Sequence, residues 1–216
     1  STTTPLPTQF PWTTWSATWG INISSADKAN LDRRWKQKIK EPCIRHLLSD
    51  EEAMEHPYAL VPRVGRFLKG GKSVEVTVVN LLRNFPQLFE NVSAVIKYKA
   101  DPFFLRETPD LDWAIVACEA LPGSLNKNYS QQRMVVKQYV QRHQTTELRV
   151  RRRSLVDAIV VHTVAKEDIL RQTVDMTDSK SGLQNFVCIN VGENGIRIND
   201  VSRQQAHPQL GVCPSW

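Results

Sequence analysis

Val187-Cys-Ile-Asn-Val-Gly-Glu-Asn-Gly-Ile-Arg-Ile-Asn-Asp200 is the stretch on which the reading of the fold turns. Apolar and polar residues alternate on both sides of Asn194-Gly195. That pair suits a two-residue type I′ turn, whose central residues both need positive φ. With Asn194-Gly195 as the turn, Val191 pairs with Ile198 and Ile189 with Asp200. Val187, Ile189, Val191, Ile196 and Ile198 then share one face, opposite Asn190, Arg197 and Asn199. An antiparallel hairpin is expected here.

Working back toward the start, helical signals take over. Ser24 with Asp27 three residues on resembles a capping box. Leu31, Trp35 and Ile39 follow at helical spacing, a narrow apolar stripe among Arg33, Arg34, Lys36 and Lys38 that should stop near Pro42. Ser49-Asp-Glu-Glu52 opens a second short helix ended by Pro57, and Gly70-Gly71 marks a turn. Val74, Val76 and Val78 alternate like a strand, yet Val78, Leu81, Leu82 and Phe85 recur like a helix, and helix is favoured. Pro86 suits the first position of another helix, with Leu88, Phe89, Val92, Val95 and Ile96 as its apolar face.

In the second half, Trp113 to Leu121, bounded by Asp112 and Pro122-Gly123, suits a buried strand. Residues 130–143 read as a helix capped by Ser130, with Val135, Val136, Tyr139 and Val140 facing inward. Ile159 to Val164 is rich in β-branched residues and reads as a strand, a helix from a Ser154 cap being the other reading. The expected fold class is α+β: a helical N-terminal half with a C-terminal antiparallel β element, the hairpin about Asn194-Gly195.

A chain of 216 residues, 41% apolar and 23% charged, has the composition of one ordinary globular domain. Residues 26–216 are assigned to that α+β domain. Residues 1–25 form an uncharged arm rich in Thr, Pro and Trp; the first charged side chain is Asp27. Pro5, Pro7 and Pro11 bar a helix there. Ordering such a segment costs about 1–2 kcal/mol per residue in backbone entropy. Phe10, Trp12, Trp15 and Trp19 are the side chains able to offset it, by burial on their own domain or a neighbouring subunit.

The formal net charge is +6. Its densest source runs from Arg133 to Arg153, where Arg133, Lys137, Arg142, Arg149, Arg151, Arg152 and Arg153 face a single acid, Glu147. If residues 148–153 are extended, Arg149, Arg151 and Arg153 project from one face and could track phosphates. Arg142, Arg149, Arg151, Arg152 and Arg153 are the polyanion-binding candidates. Arg33, Arg34, Arg63, Arg66 and Lys69 would extend the surface. A solvated edge, or arginines answering acids at an interface, is the plainer account.

Catalytic constellations fail on spacing. Cys43-x-x-His46 is half a zinc site, but His207 and Cys213 are too loosely spaced to complete it. Asp110 and Glu119 suggest a metal-dependent nuclease, yet Leu121 stands where its lysine would. Asp110 and Asp112 suit turn and capping roles. Cys118 and His162 sit in apolar runs where inert core roles are commoner. Gly70-Gly71-Lys72-Ser73 lacks the upstream glycine of a phosphate loop. No catalytic residue, metal ligand or cofactor is therefore expected.

Four cysteines without a CxxC pair, no leader-like start and no apolar run of about 18–20 residues point to a cytoplasmic chain without a membrane partner. The function expected first is assembly or scaffolding, the aromatic arm meeting a protein partner or another copy of the chain. The alternative is nucleic-acid or polyanion binding through Arg133–Arg153; an enzyme of another kind ranks last.

Overall fold

The computed structural model describes residues 20–47, 58–97, 100–117, 120–121, 123–143, 151–152, 154–164, 174–180, 185–212 and 214–215. Their helices are α1 (Ser25–Lys38), α2 (Pro42–Leu47), α3 (Val78–Asn84), α4 (Ser93–Lys97), α5 (Pro102–Leu105), α6 (Tyr129–His143) and α7 (Leu155–Val164). The strands are β1 (Ile21–Asn22), β2 (Tyr58–Arg63), β3 (Arg66–Lys69), β4 (Lys72–Glu75), β5 (Phe89–Asn91), β6 (Asp112–Ala117), β7 (Arg151–Arg152), β8 (Val174–Lys180), β9 (Asn185–Gly192), β10 (Gly195–Ser202), β11 (Leu210–Gly211) and β12 (Pro214–Ser215). Among the described residues they form three sheets, ordered β1-β3-β4, β2-β6-β12-β7 and β11-β8-β9-β10-β5. The first two are antiparallel. The third carries parallel partners at both edges, β11 beside β8 and β5 beside β10.

This arrangement overturns the expected fold class. Strands are more numerous toward the C-terminus, but helices are not confined to an N-terminal half: α6 and α7 lie beyond residue 128. The protein is mixed α/β with several sheets. Two segments account for most of the difference. The helix expected from Pro86 is a single 3-10 turn, Pro86–Leu88, followed by β5 and then by the short α4. Phe89 and Asn91 register against Ile196 and Arg197 of β10, so this backbone bonds to a sheet instead of to itself. Conversely, Leu155–Val164 is helical. Ser154 Oγ accepts from Asp157 N at 3.1 Å, and Leu155, Val156, Ala158, Ile159 and Val160 are all buried. An apolar helix buried on many sides can carry β-branched residues, because packing outweighs their small propensity cost.

The hairpin is present, with its loop displaced by one residue. Gly192 faces Gly195, Val191 faces Ile196 and Ile189 faces Ile198, so the loop is Glu193-Asn194. Each strand moves by one position, which preserves the shared apolar face. Val187, Ile189, Ile196 and Ile198 are buried. Asn126 is the one described non-glycine residue with positive φ, so Asn194 does not adopt the type I′ conformation. Gly195 serves another purpose. A Cβ there would stand 2.6 Å from the Leu88 carbonyl oxygen, so the missing side chain lets β5 approach. The paired positive φ values occur at Gly70 (+57°) and Gly71 (+77°), where β3 turns into β4.

Elsewhere most local signals hold, although the strand expected over Trp113–Leu121 is Asp112–Ala117, with Ala120 and Leu121 outside it. Ser24 Oγ caps α1 by accepting from Asp27 N at 3.1 Å. Leu31 is buried, and Trp35 stacks at 5.7 Å, tilted, on Trp113 of β6. Trp113 Nε1 donates to Leu31 O at 2.9 Å, tying α1 to that sheet. Thr77 caps α3, so Val74 belongs to a strand and Val78 to a helix. The Ser49–Pro57 segment lies outside the described residues. α7 packs against β2 and β9 and so joins two sheets around one core.

Candidate functional site

Antiparallel pairing of β2 with β6 sets Arg63 opposite Asp112. At this end of the pair the last turn of α1 brings in Lys38 and the first turn of α7 brings in Asp157. Lys38 Nζ donates to Trp113 O at 2.5 Å and lies 4.0 Å from Asp112 Oδ2. Arg63 grips Asp157, whose side chain is almost wholly buried. Burial pushes the Lys38 amine below the usual lysine range; the Asp112 carboxylate opposes the shift and nearby Arg63 adds to it. Two cations and two carboxylates balance one another across four elements. That arrangement is a tie rather than a reaction centre, because each cation already holds a partner.

A more open arrangement sits on α6. Asn128 N donates to Gln131 Oε1 at 2.9 Å and Gln131 N donates to Asn128 Oδ1 at 3.0 Å, a reciprocal cap two residues before the expected Ser130. Inside, Tyr139 is buried and Val135 and Val136 pack on the core, as expected. The side chain of Val140 lies outside the described residues. Gln132 is fully buried, and its Nε2 donates to Ser124 O at 3.3 Å and Leu210 O at 3.1 Å. These bonds fix the roll of the helix. Outward, it exposes Ser130, Gln131, Arg133, Met134, Lys137, Gln138, Gln141 and Arg142. No Asp or Glu occurs between Glu119 and Glu147.

Of the expected polyanion residues, Arg142 is exposed on α6, and Arg151 and Arg152 form β7, which pairs with β12. The side chains of Arg151 and Arg152, and all of Arg149 and Arg153, lie outside the described residues. So do Phe10, Trp12, Trp15 and Trp19. The expected extension of the basic surface is largely spoken for. Arg63 holds Asp157, Arg66 holds Glu75 at 2.9 Å, and Lys69 donates to Asn84 O while lying over the Phe85 ring. Arg33 and Arg34 are exposed on α1. Arg133 and Lys137 belong to the basic cluster but not to the expected binding residues; helical spacing of charge on an acid-free stretch is the signal that picks them out.

Of the catalytic nominees, only Asp110 and Asp112 have described side chains. Asp110 is exposed in the loop before β6, and Asp112, the first residue of β6, accepts from Trp113 N at 2.8 Å. His207 is exposed, and its Nδ1 accepts from Gln209 N. Cys118, Glu119 and Cys213 lie outside the described residues, as do the side chains of Cys43, His46 and His162. No group of three potential metal ligands gathers among the described residues. No described helix is long and apolar enough to cross a membrane. No family model matches this chain, and no match was found to a curated protein or a solved structure.

Proposed function

We propose that this chain is a binding protein that holds a phosphate-rich polyanion, nucleic acid by class, on the outer face of α6 and the arginine run that follows. The observation that carries this reading is the exposed face itself: Arg133, Lys137 and Arg142 stand among amides and a hydroxyl, on a stretch without a carboxylate. Cations so placed gain by releasing counterions from a phosphate backbone. Fluorescence anisotropy of the full chain with labelled nucleic acid across a salt series tests it. Affinity should fall linearly with log salt, and Arg151→Ala, Arg152→Ala and Arg153→Ala together should make the slope shallower. Absence of binding at low salt ends the reading.

A second reading, assembly through the aromatic arm, is favoured by how the arm's root is held. Ile21 pairs with Lys69 at a sheet edge, and Ile21 and Ile23 are seated in the core. The tryptophans thus precede a fixed anchor, as an interface segment requires. Deleting residues 1–19 spares that anchor. The shortened chain should lose oligomer mass in solution; an unchanged oligomer, or a monomer in both forms, removes this reading.

A further inference from the structure

The outward side chains of α6 are sorted around its circumference. At 3.6 residues per turn, Arg133 and Lys137 fall within about 40° of each other. Arg142 stands roughly 140–180° round from them. Between the two flanks lies a neutral ridge of Ser130, Met134, Gln138 and Gln141. Burial agrees with this projection: the ridge and both flanks are exposed, while Gln132 and Tyr139 on the far side are buried. Arg133 and Arg142 are also separated by about 13 Å along the axis.

Cations on opposite flanks of a helix do not match one line of phosphates. They match two. We infer that α6 is a groove-reading helix for duplex DNA, its basic flanks meeting the two phosphate walls and its ridge facing the base edges. The inference rests on the polyanion reading above and narrows it. An α-helix about 10–12 Å across fits a major groove about 12 Å wide. Gln amides can pair with adenine at two edge atoms, and the Met134 thioether offers apolar contact for a thymine methyl group.

Other occupants fit less well. A single strand needs exposed rings for base stacking, and none is exposed on α6 among its described side chains. The deep, narrow major groove of A-form RNA excludes a helix of this bulk. A membrane surface calls for an apolar ridge, whereas Met134 is the only large apolar side chain exposed on α6 among its described residues.

The test uses the full chain with a labelled duplex, the matching single strand and heparin, each titrated across salt. A random-sequence duplex pool is put through selection in parallel. Circular dichroism melts check that each variant folds. Duplex should bind tightest. Arg133→Ala with Lys137→Ala should make the log–log salt slope shallower by about 1.8, and Arg142→Ala alone by about 0.9. Gln138→Ala with Gln141→Ala should leave that slope and heparin binding intact while changing the sequences selected. Equal affinity for duplex, single strand and heparin, with the same pool selected by the glutamine variant, overturns the groove inference and leaves polyanion binding standing. No binding to any of the three at low salt removes both.

Discussion

The Arg63 guanidinium donates to both carboxylate oxygens of Asp157, through Nε at 3.1 Å to each and through Nη2 at 2.6 Å to Oδ2. The two residues lie on β2 and α7, far apart in the chain, and both are largely sheltered from water. A forked contact of this kind fixes the angle at which α7 crosses the sheet. Because Ser154 already caps the helix, the Asp157 carboxylate is left for the arginine.

Removing one member of a buried pair leaves the other charge without its counterpart. Asp157→Asn should lower stability to urea by about 3–5 kcal/mol. Arg63→Met with Asp157→Leu should cost less than the single change, because no charge is then stranded. Urea midpoints equal to the wild type for Asp157→Asn would show that the pair does not tie α7 down.

Lys38 makes stability rise with pH below the ordinary lysine range. Burial lowers its folded pKa below the unfolded value, so between the two the unfolded chain binds the extra proton. Stability should therefore increase as pH climbs through the folded pKa and level off near the usual lysine value of about 10.4. Lys38→Met should lack this rise. Stability of wild type relative to that variant, followed by chemical denaturation from neutral to alkaline pH, reads the difference.

Glu90 has the same sign but acts at the acid end of the scale. Its carboxylate is held below the usual range first by the Arg197 hydrogen bond, 2.7 Å from Nη2 to Oε1, and further by Asn194 N. The contribution is complete above the unfolded glutamate pKa and disappears as pH falls through the lowered folded value. Glu90→Gln should flatten the acid limb of the stability profile without altering the neutral plateau's shape. Parallel acid limbs for the two proteins would contradict this.

Gly71 isolates turn strain, whereas Gly195, at φ +143°, combines strain with crowding. Gly71→Ala meets open space but must keep φ near +77°, and should cost about 1–2 kcal/mol. Gly195→Ala drives a methyl group against the Leu88 backbone, adding about 1–3 kcal/mol of overpacking and loosening β5. Hydrogen exchange at residues 89–91 should quicken in Gly195→Ala and not in Gly71→Ala.

Much of this protein was legible one segment at a time. Ser24 announced α1, Gly70-Gly71 a turn, and the valines before Tyr139 the inner face of α6. The alternation flanking Gly195 named four of the buried residues, Val187, Ile189, Ile196 and Ile198, even though the loop sits one residue earlier, because a paired one-residue shift leaves side-chain parity unchanged. Segments with two viable periods were not legible. Leu88 to Ile96 has helical spacing, yet β10 takes the backbone of Phe89–Asn91 and leaves only Ser93–Lys97 helical. Ile159 to Val164 has strand-like residues, yet it continues a helix whose first turns, Leu155 to Val160, are buried by their neighbours. The candidate site divides in the same way: the charge of residues 133–153 was plain, but which cations face water was not. Arg63 and Lys69 are taken by partners remote in sequence.

By itself the chain determined the local punctuation, the apolar faces and the surplus of positive charge, since capping, turn conformation and periodicity act over a few residues. Only the tertiary structure decided whether an ambiguous segment became helix or strand, and whether a cation was spent on a distant carboxylate or a carbonyl. Those outcomes depend on backbone and side-chain partners that no local window contains.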